Sequence, residues 1–580
     1  MRFLKQVMLR VMPLAGIVLG CGSVFAQNSP PTRSTQQPRQ ALDAIAAPTP
    51  QSPSVTLSSA RAPLAESSVR LNARSFAIKG ATVFKSQDLQ KLLVSITNRE
   101  IGAADLQEVL DRIRQRYAAA GYLLTDVFFP RQSFSASGGT VDVEVVEARV
   151  GAVRVEMADD VPVSGNYVNN LFDQFLKPGM LITAKRLDAP LLVLRDVPGI
   201  TAAATVVPGA APGTSDIVVK VTSRGRRWKA VAGADNFGTP VVGEYRASVS
   251  ANVDNLLARA DSLSASVQAA SQSGTLLYRL GYTLGLGGMG GQLGLSLMRS
   301  EYVLGGAYSA LGASGTADVL SLSWMQPLVR SRSSNLFLRA GVDGKRLSDT
   351  VGVAGIKPSR DVFTAHVALI GNASDAGLLA GGITRYGAQL TYGALSIKDQ
   401  QSLDADQSLF GAHADGGYIK GALDLQRIEF LTEHTSLLFS LSGQFASRNL
   451  TSAEKLGLTG PTAVRGLRAD AGSVVDEGFV GSLEYRYLMP FMPADTSLQA
   501  SLFYDYGVGK LDKRRDATTL APLVNEANQV SFDAVGLGFS AALKDRLNAA
   551  FWAATPLREP VIRSEGDTST RVWFSLQYTF

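Results

Sequence analysis

The sequence predicts two small α+β modules, each ordered β-α-α-β-β, followed by an all-β, sixteen-stranded antiparallel transmembrane barrel. Three observations predict this architecture. Between residues 74 and 222, apolar residues recur at helical spacing between short alternating segments, and the same order of segments occurs twice. From residue 225 onward the helical spacing disappears, and segments of about ten residues alternate between apolar and small polar side chains. The chain ends on an aromatic residue, Phe580.

Length and composition limit the function classes. The 580 residues are too many for one ordinary domain, and charged residues make up only 18%. No apolar run is long enough for a helical membrane span. The net charge of +6 is small, and no block of Lys and Arg is interleaved with aromatic residues. We therefore expect no nucleic acid partner.

Residues 1–26 have the features of a signal peptide. Val11 to Val18 form a short apolar core, and Val24-Phe25-Ala26 is an acceptable cleavage site. The positive start of this segment consists of Arg2, Lys5 and Arg10. The only cysteine, Cys21, follows Leu19-Gly20, and this setting has some similarity to a lipoprotein site. Cleavage after Ala26 leaves a mature chain without cysteine, which needs no disulfide chemistry.

Residues 27–73 are rich in Ser, Pro, Gln and Ala, a composition that cannot bury a core. We expect a flexible linker here. Within it, residues 37–47 favour one short helix before Pro48, and this helix would be marginal alone in water. A sixteen-stranded barrel leaves an aqueous channel unless something fills it, so this helix is a candidate plug.

Residues 74–148 predict the first module. Phe76 to Gly80 alternates like a strand, and Ser86 is placed to cap a helix that carries Leu89. Ala103 to Ala120 has apolar residues at helical spacing and ends before Gly121. Two further strands are predicted at Tyr122 to Phe129 and Val141 to Val146.

Residues 149–224 predict a second copy of this module. The expected elements, in order, are a strand at Val150 to Met157, helices at Ser164 to Leu176 and Ala184 to Arg195, and strands at Thr201 to Val207 and Ser215 to Val221.

Residues 225–580 predict the barrel. In Ser262 to Val267, for example, Leu263, Ala265 and Val267 would face lipid while the serines face the lumen. An even number of strands suits a closed antiparallel barrel, which has no exposed edge. The sixteen predicted strands begin near Trp228, Glu244, Asp261, Leu276, Gly291, Ala317, Asn335, Asp361, Ile383, Tyr418, Ser436, Glu477, Ser497, Val530, Leu547 and Arg571.

Two short segments are the candidate functional site. Val464-Arg465-Gly466-Leu467 lies in a long loop, and Phe503-Tyr504-Asp505-Tyr506-Gly507 lies in a strand about forty residues later. If the loop folds back into the lumen, Arg465 and Asp505 can form a charge pair shielded from bulk water, which would hold the loop on the wall. The alternative is an ordinary extracellular loop and a strand Asp that faces a wet pore.

With these segments the chain resembles the two-partner secretion translocators of the ShlB/FhaC/HecB family, which belong to the superfamily that includes BamA. Family members carry two polypeptide-transport-associated (POTRA) modules and a sixteen-stranded barrel. Arg465 and Gly466 match the family's Val-Arg-Gly-Tyr loop motif, and Asp505 and Gly507 match its Phe-x-Asp-x-Gly strand motif. This chain has Leu467 where the family usually has Tyr.

Other positions extend the resemblance over most of the mature chain. Glu484 and Arg486 fall in the strand expected to support the site, and Asp235 to Gly238 resembles the start of the family's barrel. The first POTRA module is matched at Gly121, Tyr122, Thr125, Pro130, Arg131, Gln132 and the segment Val143 to Glu147.

The resemblance implies a pore in the outer membrane of a Gram-negative bacterium, with both POTRA modules in the periplasm. Its implied partners are a secreted exoprotein, outer-membrane lipids and the barrel-assembly machinery, which reads the terminal Phe580 during insertion. Two other functions stay open: a barrel-assembly or translocation-assembly factor of the same superfamily, and a passive porin. Only two modules fit into residues 74–222, and a porin would not need them.

No pattern points to catalysis, a metal or a cofactor. The three histidines have no metal-ligand spacing, and no Gly-x-Ser-x-Gly motif is present. Gly285 to Gly290 fits Gly-x-Gly-x-x-Gly, but no helix follows it, so we interpret it as a hairpin turn. We expect a protein that is not an enzyme.

Overall fold

The computed structural model describes residues 55–57, 70–132, 139–408, 411–469, 473–493, 495–514, 528–544, 546–558 and 570–580. The predicted signal peptide, Cys21 and the candidate plug helix at residues 37–47 lie outside these ranges. Among the described helices, none is long and apolar enough to cross a membrane.

The first module is a four-stranded sheet covered by helices. Strand β1 (Val55–Leu57) precedes it and belongs to another sheet. The module's sheet has the strand order β3-β2-β5-β4, in which β2 and β5 pair in parallel. Its elements are β2 (Leu71–Lys79), α1 (Ser86–Lys91), β3 (Arg99–Ile101), α2 (Ala103–Ala119), β4 (Thr125–Phe128) and β5 (Gly139–Glu147).

The first module differs from the prediction in three details. Strand β2 begins at Leu71, whereas we placed the module boundary at residue 74. The short strand β3 lies between the two helices and pairs with the start of β2. Ser86 does not cap α1, because its hydroxyl donates a hydrogen bond to the carbonyl of Ile78 instead.

The core of this module forms where the apolar face of α2 packs on the sheet. Val109, Ile113 and Tyr117 of the helix are fully buried among the inward residues of β2 and β5. The alternating burial along Gly139–Glu147 matches a strand with one face covered. The predicted helical spacing therefore placed the correct side chains inside.

The second module repeats this plan. Its sheet has the order β1-β7-β8-β6, so Val55–Leu57, from the segment we expected to be a linker, adds a parallel edge strand to it. Ser164 and Thr183 cap the two helices by accepting hydrogen bonds from backbone N–H groups of the first turn. Its elements are β6 (Arg149–Met157), α3 (Gly165–Phe175), α4 (Ala184–Asp196), β7 (Ile200–Pro208) and β8 (Thr214–Ser223).

Sixteen antiparallel strands form the closed barrel, as predicted. The first half consists of β9 (Trp228–Asp235), β10 (Arg246–Asp254), β11 (Ser262–Ala270), β12 (Thr275–Gly287), β13 (Gly291–Val303), β14 (Ala313–Arg330), β15 (Ser334–Val351) and β16 (Ser359–Asp375). The second half consists of β17 (Gly382–Ile397), β18 (Gly416–Phe430), β19 (Thr435–Ala446), β22 (Glu477–Leu488), β23 (Thr496–Lys510), β24 (Gln529–Leu543), β25 (Leu547–Pro556) and β26 (Arg571–Thr579). Two short strands outside the barrel, β20 (Leu456–Gly457) and β21 (Val474–Val475), pair with each other in the connection between β19 and β22.

The pleat of the strands separates two faces. On β15 and β16, polar residues such as Asp343, Thr364 and His366 are buried inside, while Val342 and Phe363 on the other face are exposed. This is the apolar-out, polar-in alternation that a barrel in lipid requires. The described parts of three long connections, residues 398–408 with 411–415, residues 447–469 with 473–476, and residues 511–514, lie at the end of the barrel away from the modules.

The second module packs against the other mouth of the barrel. Arg332, in the turn between β14 and β15, holds Asp188 of α4 through two hydrogen bonds of 2.9 and 2.8 Å. Arg330 binds Asp196 of the same helix over 2.5 Å. Asn255, in the turn after β10, donates to the carbonyl of Pro198 over 2.6 Å. These contacts fix the orientation of the module at the mouth.

A loop anchored inside the barrel as the candidate functional site

The long connection between β19 and β22 folds into the lumen. Its described residues include the paired two-residue strands β20 and β21, which give it a rigid stem. Leu458, Val464 and Leu467 of the loop are buried against Phe532 and Ala534 on the inner face of β24. This apolar contact removes the loop from water and brings Arg465 to the barrel wall.

Arg465 is completely buried and makes a two-pronged ion pair with Asp505 of β23. Its Nε and Nη2 donate to the two carboxylate oxygens of Asp505, each over 2.7 Å. The backbone N–H of Arg465 also donates to Asp505 over 3.1 Å. This planar, bidentate geometry is specific to Arg, and Lys cannot reproduce it. The loop therefore lies against the wall as the sequence predicted.

The supporting strand completes the hydrogen bonding of the guanidinium. Nη1 of Arg465 donates to Glu484 over 3.0 Å, and Nη2 donates to the hydroxyl of Ser482 over 3.1 Å. Glu484 in turn accepts from Arg486 over 2.9 Å. Two cations and two anions thus neutralise one another, which is the condition for burying charges at a tolerable free-energy cost.

Two aromatic residues hold Arg465 from its other sides. The guanidinium carbon lies 3.1 Å from the centre of the Phe503 ring, a cation–π contact on the same strand as Asp505. The indole Nε1 of Trp573 on β26 donates to the backbone carbonyl of Arg465 over 2.7 Å. Arg465 is therefore bound to three strands, β22, β23 and β26, of which β26 closes the barrel.

The glycines of the two motifs permit these close approaches. A Cβ on Gly466 would lie 2.7 Å from the Cβ of Ala534 and 2.9 Å from the backbone nitrogen of Pro556. A Cβ on Gly507 would lie 3.2 Å from Val464 and from the carbonyl of Leu458. Both glycines therefore lie at the contact surface between loop and wall.

Leu467, the departure from the family motif, is almost fully buried in the loop's apolar cluster. It packs with Val464 and Val475 of the loop and with Phe532 of the wall. An apolar side chain at this position therefore contributes burial where the family usually places an aromatic ring.

Sequence reasoning missed Trp573 and Ser482. Trp573 has a detectable signal, because it is a large aromatic residue at a strand position whose neighbour Val572 is exposed on the other face. Inward positions of the barrel are mostly polar, so an inward indole indicates a specific contact. Ser482 carries no such signal, since inward serines are frequent in these strands.

The predicted motif of the first module begins at Gly121, where this module meets the second one. Gly121, with φ +87°, ends α2, and its carbonyl accepts a hydrogen bond from the first N–H of α4 over 2.8 Å. The Tyr122 ring packs edge-on against Tyr117, with centroids 6.1 Å apart. Gly121 thereby connects the end of α2 to the start of α4, while Tyr122 packs inside the first module.

Pro130 and Gln132 end the edge strand of the first module. Strand β4 stops before Pro130, which has no N–H to donate to a strand ladder. The side-chain amide of Gln132 then binds the backbone of Asp142, donating to its carbonyl and accepting from its N–H, each over 2.8 Å. Gln132 thereby continues the pairing along β5.

Phe580 lies one residue after β26, and its N–H donates to the carbonyl of Ala230 on β9 over 3.0 Å. Its ring is exposed and packs edge-on against Tyr578, with centroids 4.9 Å apart. No group of His, Cys, Asp and Glu within the described ranges has the geometry of a metal site.

A closed barrel with an inward, wall-bound loop and two small modules at one mouth defines an outer-membrane polypeptide transporter. The chain belongs to the haemolysin secretion/activation protein family ShlB/FhaC/HecB, whose family model matches residues 213–528. A ShlB-type POTRA domain matches residues 71–148. The protein is thus a two-partner secretion transporter of the outer membrane, and its POTRA modules are periplasmic.

Curated relatives and solved structures agree with this family. The chain is 24% identical over 495 residues to the heme/hemopexin transporter protein HuxB of Haemophilus influenzae, covering 85% of this chain and 84% of that protein. It is 28% identical over 157 residues to the outer membrane transporter CdiB-2 of Burkholderia pseudomallei, covering 27% of this chain and 25% of that protein. The fold matches CdiB from Escherichia coli with a TM-score of 0.70 at 18% identity, covering 94% of this chain and 97% of that one. It also matches BamA from Haemophilus ducreyi lacking POTRA domains 1–3, with a TM-score of 0.51 at 12% identity, covering 88% of this chain and 100% of that one.

Proposed function

We propose that this protein recognises one unfolded exoprotein in the periplasm and passes it through the barrel to the cell surface. The observation that carries this proposal is the fully buried Arg465, which binds Asp505 and Glu484 inside the lumen. A passive porin has no need for two periplasmic modules. Controlled passage of a large polypeptide would use both the wall-bound loop and the two modules.

Cargo recognition is proposed to use strand addition to the POTRA sheets. Extended peptides add to exposed sheet edges through main-chain hydrogen bonds, which tolerate many sequences. The protein's own Val55–Leu57 pairs in parallel with Ala204 to Val206 of β7, which supports the idea that this edge accepts an extended chain. Strand β4 is one edge of the first module's sheet, and its backbone is a second place where an extended cargo segment could pair.

Basic residues of the first module contribute little to this proposed recognition, because most of them already have acidic partners. Arg112 is paired with Glu108, Arg114 with Asp111, and Lys79 with Asp142. Arg116 lies over the ring of Phe84, 4.3 Å from its centre. Since acidic partners already offset most of these charges, we expect backbone pairing to dominate the binding.

Transport is proposed to need no nucleotide. The one glycine pattern that resembles a nucleotide motif forms the turn between β12 and β13, in which Gly287, Gly288 and Gly290 have positive φ. The free energy for movement then comes from binding in the periplasm and from folding of the cargo outside. We also propose that the protein has no catalytic activity of its own, as expected for a secretion family.

The cargo is proposed to be a large exported protein of the haemolysin, adhesin or toxin type. One relative is named a heme/hemopexin transporter and another an outer membrane transporter, so the cargo of this chain has to be identified by experiment. The test compares proteins in the culture medium of a strain lacking this protein with those of the same strain expressing it. Loss of one large protein, restored by the unmodified chain and not by Arg465→Ala, is expected. Unchanged medium together with poor insertion of other barrels would instead favour an assembly factor.

A further inference from the structure

A second charged cluster holds the same loop at its root. Glu454 ends a short 3-10 turn, Ser452–Glu454, at the start of the loop. Its carboxylate oxygens accept hydrogen bonds from the ammonium groups of Lys345 over 2.5 Å and of Lys420 over 2.7 Å. Its backbone carbonyl accepts from Lys420 and from Gln444, each over 3.1 Å. The root therefore has its own wall contacts, which share no residue with those of Arg465.

The partners of Glu454 lie on a different part of the wall from those of Arg465. Lys345 is on β15 and Lys420 is on β18, so Glu454 joins two strands that are separated by β16 and β17. Arg465 binds β22, β23 and β26. The root of the loop, Ser452–Glu454, and its tip, Val464 to Leu467, therefore contact different parts of the lumen wall.

Glu454 also neutralises the two buried lysines that hold it. The side chains of Lys345, Lys420 and Glu454 are only 6%, 10% and 3% exposed. Two like charges at this depth repel each other strongly when no anion lies between them. Asp343, two residues before Lys345 on the same inward face, supplies a further negative charge, but its oxygen binds the hydroxyl of Thr364. The only carboxylate recorded in contact with both ammonium groups, within the described residues, is that of Glu454.

We infer that Glu454 is a second, independent positioning residue, which holds the root of the loop across the lumen while Arg465 holds the tip. This inference rests on the proposed function, since it assigns the resting closure of the pore to the root contact. Loss of the Glu454 charge releases the root towards the exterior and opens the lumen beside β15 and β18. The tip, held by Asp505 and Trp573, stays in place.

Two buried alanines report on root and tip separately. Ala453 and Ala463 are 2% and 7% exposed, so cysteines placed there react slowly with a membrane-impermeant maleimide added to intact cells. Cys21 is the only native cysteine, and its replacement by Ser makes the labelling specific. Glu454→Gln is expected to accelerate labelling at position 453 and not at 463. Arg465→Ala is expected to accelerate labelling at 463 and not at 453.

A charge exchange tests whether the ion pairs cause the effect. Glu454→Lys with Lys420→Glu keeps the same three charges in the cluster, so slow labelling at 453 should return. Planar bilayers without any cargo should show a higher mean conductance for Glu454→Gln than for the unmodified barrel or the exchanged variant. Because neither measurement involves secretion, they succeed or fail independently of the proposed translocation.

Unchanged labelling at position 453 in a heat-modifiable Glu454→Gln barrel would overturn the inference. So would simultaneous acceleration at 453 and 463 in either single variant, because root and tip would then move as one unit. If the Glu454→Gln barrel does not insert, labelling at position 453 is measured in Lys420→Gln instead. This variant is expected to insert, because Lys345 still neutralises Glu454. A moderate acceleration at 453 supports the root anchor, and an unchanged rate rejects it.

Discussion

The indole of Trp573 donates a hydrogen bond of 2.7 Å to the backbone carbonyl of Arg465, which connects the inward loop to the last strand of the barrel. Since β26 pairs with β9 to close the barrel, the loop tip and the closure share one strand. The position of the loop and the integrity of the closure are therefore coupled through a single side chain.

The first prediction concerns this bond. Trp573→Phe keeps an aromatic ring but removes the donor, leaving the buried carbonyl of Arg465 without this partner. Loss of such a partner costs about 1–3 kcal/mol. We expect a lower temperature for the heat-modifiable shift on gels and reduced secretion. Trp552→Phe is the matched control, because that indole lies on β25 and is not bonded to the loop's Arg465. Equal effects of the two substitutions would contradict the role of the hydrogen bond.

The second prediction concerns the ion pair. Arg465→Ala removes the guanidinium that pairs with the buried Asp505, while Glu484 keeps its ion pair with Arg486. Breaking a buried pair in this way costs about 3–5 kcal/mol of local stability. We expect secretion to stop while the barrel still inserts, as measured by cargo in the medium and by heat-modifiability. Arg465→Lys should also fail largely, because an ammonium group cannot bind Asp505 in a bidentate manner. The exchange Arg465→Asp with Asp505→Arg is expected to restore part of the secretion. Secretion by Arg465→Ala at the unmodified level would remove the basis of the proposed function.

Sequence patterns predicted the strands, the modules and the Arg465–Asp505 pair for identifiable reasons. Strand starts follow from the period-two alternation, and the largest displacement, at Ala313 against the predicted Ala317, occurs where small residues weaken that alternation. The pair was predictable because one short motif lies in a loop long enough to fold inward and the other lies in a strand of the barrel wall. Glu454 and its lysines were not predictable, since β15 and β18 approach it only through the closure of the whole barrel.

The third prediction uses the close packing of Gly466. Gly466→Ala places a methyl group 2.7 Å from the Cβ of Ala534 and 2.9 Å from the backbone of Pro556, so the loop tip has to move away from the wall. We expect secretion to fall and maleimide labelling at position 463 to rise. Gly457→Ala is the matched control in the same loop, because its added Cβ meets no atom within 4 Å. If both substitutions behave alike, wall contact at Gly466 is not the cause.

The fourth prediction concerns insertion. Deletion of Phe580 removes the exposed aromatic terminus and the hydrogen bond of its N–H to Ala230. We expect a sharp loss of heat-modifiable barrel in the outer membrane, because the assembly machinery is proposed to read this residue. Phe580→Tyr keeps the ring and the backbone bond, so it should insert normally. Unmodified barrel levels after the deletion would show that Phe580 is dispensable.

The fifth prediction concerns pH and the first POTRA module. Burial by itself would raise the pKa of Glu147, but hydrogen bonds from the Thr82 hydroxyl, the Val83 N–H, the Tyr117 hydroxyl and the Thr82 N–H lower it below its usual value. A carboxyl group with a depressed folded-state pKa stabilises the fold above its unfolded pKa of about 4.3. This stabilisation is lost as the pH falls through the folded value.

Urea unfolding of a purified fragment of residues 70–224 tests this linkage. At pH 7, Glu147→Gln should lower the free energy of unfolding by about 2 kcal/mol, because charge-assisted hydrogen bonds are replaced by neutral ones. The difference between variant and unmodified fragment should shrink as the pH is lowered towards 3, since protonation neutralises the native carboxylate. Glu108→Gln is the control, because Glu108 is half-exposed and only forms a helix-surface pair with Arg112, worth a few tenths of a kcal/mol. A Glu147→Gln effect of equal size at pH 7 and pH 3 would show that shape, and not charge, makes Glu147 important.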